Sequence, residues 1–141
     1  MASNEQRVVM LTLHRRILTE IFTNAIEKRP RMAAIIEHEY IKLETAVKER
    51  KPDVALLEVP ERSGTPAQDT LTASDQIKTA HPSCKVMLMC PAADKKSVNE
   101  CIRAKREKRI DDFLFYDASP DYLATVLESM LSIECRPSPE E

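Results

Sequence analysis

The sequence predicts an α/β fold: five parallel strands in one doubly wound sheet, ordered 2-1-3-4-5, with helices on both faces. Three observations predict it. Five short apolar runs are spread along the 141 residues. Stretches with apolar residues three or four apart separate them, which is helical spacing. The runs are apolar at consecutive positions, as strands covered on both sides must be.

Val8 to Leu11 forms the first run. Ile17, Ile21 and Ala25 then recur every fourth residue, with Phe22 and Ile26 beside them, which predicts an amphipathic helix over about Arg15–Lys28. Pro30 ends it. Met32 to Ile36 is the second run, and Tyr40, Leu43 and Val47 follow at helical spacing until Pro52. Val54 to Leu57 is the third run, closed by Pro60. A loop over Glu61 to Asp69 holds Gly64, the only glycine. A weaker helix is expected over about Thr70–Ala80, with Leu71, Ser74 and Ile77 inward, broken by His81-Pro82.

Val86 to Met89 is the fourth run, and Asp94–Lys108 reads as a helix with Val98 and Ile102 inward. Phe113 to Phe115 is the fifth. Ser119-Pro120-Asp121 starts the last helix, because serine caps, proline suits the first turn and an acid suits the positive end of the dipole. Leu123, Val126, Leu127, Met130 and Leu131 give it one apolar stripe. The organisation read from this is a disordered start over residues 1–6, one domain over 7–133, and a polar tail or linker start over 134–141.

Composition excludes several functions. One glycine cannot write a Walker-type phosphate loop or a dinucleotide fingerprint. A net charge of −2 gives the whole chain no electrostatic case for DNA or an anionic membrane. Four cysteines show no CxxC spacing, and the three histidines do not join them at zinc-ligand intervals, so free thiols in a reducing compartment are expected. The polar start is no secretory signal, and no apolar run approaches 18 residues. A cytoplasmic location is the expectation.

In a doubly wound sheet, ligands sit at the carboxyl ends of the strands. Function is therefore sought at Thr12, Leu13, Glu37, Glu58, Cys90 and Tyr116. Here the chain resembles a response-regulator receiver domain, over roughly Arg7 to Ile133. Pro52-Asp53-Val54-Ala55-Leu56-Leu57-Glu58-Val59 resembles the family's third strand, and Phe113 to Leu123 its fifth strand and last helix. The wording Asp117-Ala118-Ser119-Pro120-Asp121, together with His14, is similar to the NarL/FixJ-like subgroup. The resemblance implies the CheY-like strand order and a role in two-component signal transduction.

It also implies where the phosphoryl chemistry would lie, and each position departs. The phospho-accepting Asp is Glu58, the Mg²⁺-binding acidic pair is Thr12 and Leu13, the switch hydroxyl is Cys90, followed by Pro91, and the lysine is Tyr116. Phosphoryl transfer needs metal and positioning. Glu58 also carries its carboxylate about 1.5 Å further out. No phosphorylation, no Mg²⁺ or other cofactor and no enzymatic activity are expected. Glu58 reads as a stand-in for the phosphorylated Asp or as a solvated remnant, with Arg15, Arg16 or Arg62 as candidate ion-pair partners. Cys90 reads as a small apolar filler rather than a redox sensor.

The run Arg103, Lys105, Arg106, Lys108, Arg109 suits the negative end of a helix dipole or a docking patch. The resemblance implies dimer or partner contacts on the face made by the fourth helix, fifth strand and fifth helix. Cys90 and Tyr116 stand 26 residues apart, a few more than in typical receivers, which suggests a longer fourth helix or loop. DNA would be reached only through an output domain that this chain does not contain. The alternative is a small-molecule sensor lined by Thr12, Glu58, Cys90 and Tyr116. Where the subgroup has Gly-Ala-Asp-Gly, this chain reads Arg109-Ile110-Asp111-Asp112, so a less flexible turn is expected there.

Overall fold

The computed structural model describes residues 6–60 and 66–135. Residues 1–5 of the start expected to be disordered over 1–6, Arg62, Gly64, and residues 136–141 of the tail expected over 134–141 lie outside them. The elements are β1 (Arg7–Thr12), α1 (Arg16–Glu27), β2 (Met32–Ile36), a 3₁₀ turn (Tyr40–Lys42), α2 (Leu43–Arg50), β3 (Val54–Glu58), α3 (Pro66–Ala80), β4 (Lys85–Cys90), α4 (Lys95–Arg106), β5 (Asp112–Phe115) and α5 (Pro120–Cys135). The sheet runs β2-β1-β3-β4-β5, with every pairing parallel. Fold class and strand order are those the sequence predicts.

Side chains alternate across each strand, so the sheet divides the core in two. Met10, Ala55, Leu57, Val86 and Leu88 face Leu43, Val47, Leu71, Ile77, Cys101 and Ala104 of α2, α3 and α4. Val9, Leu11, Val54, Leu56, Met87 and Met89 face Phe22 and Ile26 of α1 and Leu123 and Leu127 of α5. β3 is buried at every position, whereas β2 and β5 are largely half-buried. An edge strand has one neighbour, so its apolar run is covered less completely.

Three expectations need correction. In α1 the buried residues are Thr19, Phe22 and Ile26, while Ile17 is 65% exposed and Ile21 39%. Ile17 and Phe22 lie about 140° apart around the helix, too far to share one core-facing stripe. In α4, Ser97, Cys101 and Ala104 face the core, Val98 is half-buried and packs against it as expected, but Ile102 is exposed. Small side chains there let the helix approach the sheet, and that need outweighs the hydrophobicity of Ile102. Helix α3 begins at Pro66 rather than Thr70, because proline is tolerated in a first turn. The stripe Leu71, Ser74 and Ile77 is buried as expected.

Helix α4 stops at Arg106, before Lys108. Lys108 takes the left-handed conformation with φ 65°, just ahead of the segment where the missing glycines were expected to matter. Lys51, which caps α2, does the same with φ 47°.

Candidate functional site

Glu58 ends β3, in register with Met89 of β4, and its side chain is 2% exposed. A strand covered on both faces turns even its last side chain into the protein. The β1–α1 connection supplies the partners. The backbone N–H groups of His14 and Arg15 donate to Oε1 at 2.7 and 3.3 Å, and Arg15 Nε donates to Oε2 at 3.0 Å. Arg15 is the extended residue that opens α1, so its own N–H points out of the helix towards the carboxylate. A buried carboxylate with charge-assisted donors on both oxygens is stably held.

Two tyrosines close the site. The guanidinium carbon of Arg15 lies 4.1 Å from the centre of the Tyr116 ring, a cation–π contact. The Tyr116 hydroxyl donates to the carbonyl of Val59, next to Glu58. The Tyr40 hydroxyl donates to the Glu58 carbonyl at 2.6 Å and meets the Thr70 hydroxyl at 2.9 Å. The His14 and Tyr40 rings stand 5.4 Å apart. The segments after β1, β2, β3 and β5 are thus tied together around one carboxylate.

The other predicted residues fall as follows. Thr12 is fully buried, and its hydroxyl has no hydrogen-bond partner. Leu13 packs into the α1–α5 side of the core. Cys90 is fully buried, with Sγ 3.8 Å from the Pro91 carbonyl. Arg15, and not its exposed neighbour Arg16, pairs with Glu58. Arg62 lies outside the described residues. Tyr40 and Thr70 were missed as site residues. The signal for Tyr40 is physical: a half-buried tyrosine at helical spacing must find a partner for its hydroxyl.

The cationic run divides. Lys105 pairs with Asp112 at 3.0 Å and Arg109 with Asp75 at 2.8 Å, so these two brace the fold. The Asp75 carboxylate raises the pKa of the Arg109 guanidinium. Arg103, Arg106 and Lys108 are exposed and have no ion pair among the described residues. Beside the run is a groove of about 440 Å³ lined by Lys105, Phe113, Phe115, Asp117, Ala118 and Tyr122. Phe115 and Tyr122 are exposed along it.

No protein-family model matches the chain, and no curated protein matches it. Solved structures do. A response regulator from Thermotoga maritima superposes with a TM-score of 0.74, covering 90% of this chain and 98% of that one at 20% identity. A DNA-binding response regulator of the LuxR family from Staphylococcus aureus gives 0.68, over 87% and 97%, at 13% identity. The pilus assembly protein CpaE from Caulobacter crescentus gives 0.63, over 89% and 94%, at 17% identity. The chain has the fold of the response-regulator receiver domains.

Proposed function

We propose that this chain is a receiver-type signalling domain that acts by protein contact and is not phosphorylated. The observation that carries the reading is the ion pair between half-exposed Arg15 and buried Glu58 at the end of β3. Mg²⁺ asks for near-octahedral oxygen ligands, usually with more than one anionic donor. Thr12 and Leu13 offer no carboxylate, and a guanidinium already neutralises Glu58, so the donor set does not fit the metal. A dianionic phosphoryl donor would have to displace Arg15 and meet a carboxylate set one methylene too far out. The chain then has no phosphoryl chemistry and is no enzyme, and Glu58 works as a fixed anion standing in for the phosphorylated state.

The contact face in this reading is that of α4, β5 and α5, where Phe115 and Tyr122 flank the groove. Its occupant is a partner protein or a second copy, and DNA is reached only through a separate output domain. No helix among the described residues is long and apolar enough to cross a membrane. A small-molecule ligand at Glu58 would have to displace Arg15, so the contact reading is preferred.

The test is amide chemical shifts recorded with Mg²⁺ and beryllofluoride, a phosphoryl mimic. Unchanged shifts at Glu58 and its neighbours are expected. Saturable shifts centred there would overturn the reading.

A further inference from the structure

β2 (Met32–Ile36) is one edge of the sheet. The two ends of its ladder to β1 are explicit. The Arg7 N–H donates to the Arg31 carbonyl at 2.7 Å, and the Glu37 N–H donates to the Leu11 carbonyl at 3.0 Å. In a parallel pair every second residue turns both backbone groups towards its neighbour. Arg31, Ala33, Ile35 and Glu37 therefore face β1. The backbone groups of Ala34 and Ile36 and the Met32 carbonyl face outward, and nothing among the described residues bonds them. The Met32 N–H is taken by the Arg29 carbonyl at 3.2 Å.

Sheet edges are usually blunted by a charge, a proline or a bulge. The strand Met-Ala-Ala-Ile-Ile holds no charge and no proline, and its register with β1 is unbroken. The charges stand just outside it, Arg31 before and Glu37 after. Neither has an ion-pair partner among the described residues. Glu37 Oε2 accepts the Glu39 N–H at 3.1 Å.

We propose that β2 pairs antiparallel with β2 of a second copy of this chain, about a two-fold axis at Ala34, so that two five-stranded sheets join into one. In this register outward groups meet outward groups. The two Ala34 residues exchange a pair of hydrogen bonds, and each Ile36 N–H reaches the Met32 carbonyl opposite. Ile36, 41% exposed, is then covered beside that methionine. Arg31 of one copy falls opposite Glu37 of the other, and the symmetry makes this happen twice. These are pairs without mutual backbone bonds, whose Cα atoms approach to about 4.5 Å, so the side chains lie close. Sliding the register by one residue sets outward groups against inward ones. Sliding it by two sets Arg31 against Ile35, or against Glu39, which Lys42 already pairs at 3.7 Å. Pro30, with no N–H, ends the ladder. A contact this short makes a small interface, so the dimer is reversible and depends on concentration. The edge is at the far end of the sheet from β5 and its groove, so the inference does not rest on the contact reading there.

The test is sedimentation equilibrium of the full chain from about 1 μM to about 1 mM. A reversible dimer is expected in the upper part of that range. Arg31→Glu and Glu37→Arg each set like charges opposite one another twice, and each should raise the Kd at least about tenfold. Mixing the two variants should restore the dimer, because both cross-strand pairs of the mixed species again join opposite charges. In the wild type, amide exchange at Ala34 and Ile36 should slow as concentration rises, while Ala33 and Ile35 are protected throughout. Circular dichroism checks that the variants fold, and the wild-type exchange pattern decides by itself if one does not. A monomer at every concentration, a dimer indifferent to both reversals, or a mixture no tighter than its components would each overturn the proposal. Tyr122→Ala should leave the dimer unchanged. Its loss in that variant would move the interface to the groove, which overturns the proposal and leaves the receiver reading intact.

Discussion

Arg15 is half exposed while Glu58 is almost completely covered, so their bond joins a solvated cation to a buried anion. Removing the cation leaves a carboxylate with two backbone donors and no countercharge. Breaking a fully buried pair costs about 3–5 kcal/mol, and the exposure of Arg15 places this one lower. Arg15→Met should therefore lose about 1–3 kcal/mol of stability in urea unfolding. Arg16→Met should change it by less than about 0.5 kcal/mol, as exposed positions usually do. Equal effects would remove the distinction between the two arginines. Tyr116→Phe deletes one hydrogen bond to Val59 and leaves the ring under Arg15, so about 1 kcal/mol is expected from the same measurement. At this scale the sequence was legible only in part. The position of Glu58 follows from where the third apolar run ends. The choice among Arg15, Arg16 and Arg62 does not, because it depends on which way the loop backbone turns. Tyr40 was read only by its spacing, since its hydroxyl partners come from β3 and α3.

Among the helices, local spacing revealed each element but not always its inner face. Ile17 and Ile21 repeat at the right interval, yet the face they define points to solvent. The helix ends hold a clearer rule. Lys51 and Lys108 sit in the left-handed conformation where α2 and α4 end, positions that usually take glycine. A residue with a Cβ pays about 1–2 kcal/mol there, partly offset because glycine loosens the unfolded chain. Lys51→Gly and Lys108→Gly should each stabilise the protein by about 0.5–1 kcal/mol. A loss on thermal or urea unfolding would refute that account of the glycine-poor sequence. The start of α4 adds a pH dependence. The Ser97 hydroxyl, then the backbone N–H groups of Ser97 and Lys96, lower the Asp94 carboxyl below its ordinary 3.8. A group lowered on folding stabilises above its unfolded value and loses that effect as pH falls through the folded one. The gap in melting temperature between wild type and Asp94→Ala should be full near neutrality and shrink below pH 3.8. A gap that persists unchanged in strong acid would mean Asp94 acts by packing rather than charge.

Across the whole molecule, the regular alternation of apolar runs and helical stretches made the (βα)₅ plan legible, because parallel neighbours need crossovers and crossovers turn one way. The uneven burial of the strands was not legible: β2 and β5 are as apolar as their neighbours, and only the strand order makes them edges. That order gives the protein two cores rather than one. Ile26 of α1 packs on one face of the sheet and Ile77 of α3 on the other, both without exposed surface. The layers between them are the sheet itself and the side chains on each face, a separation of about 10 Å or more. Removing one methyl from either should cost about 0.5–1.5 kcal/mol. Residues so far apart with no shared partner add to within about 0.5 kcal/mol. Ile26→Val with Ile77→Val should therefore lose the sum of the two single losses in urea unfolding, in one transition of unchanged slope, since the five shared strands make both cores melt together. A second transition, or a slope that falls in the double variant, would show that the two sides of the sheet unfold separately.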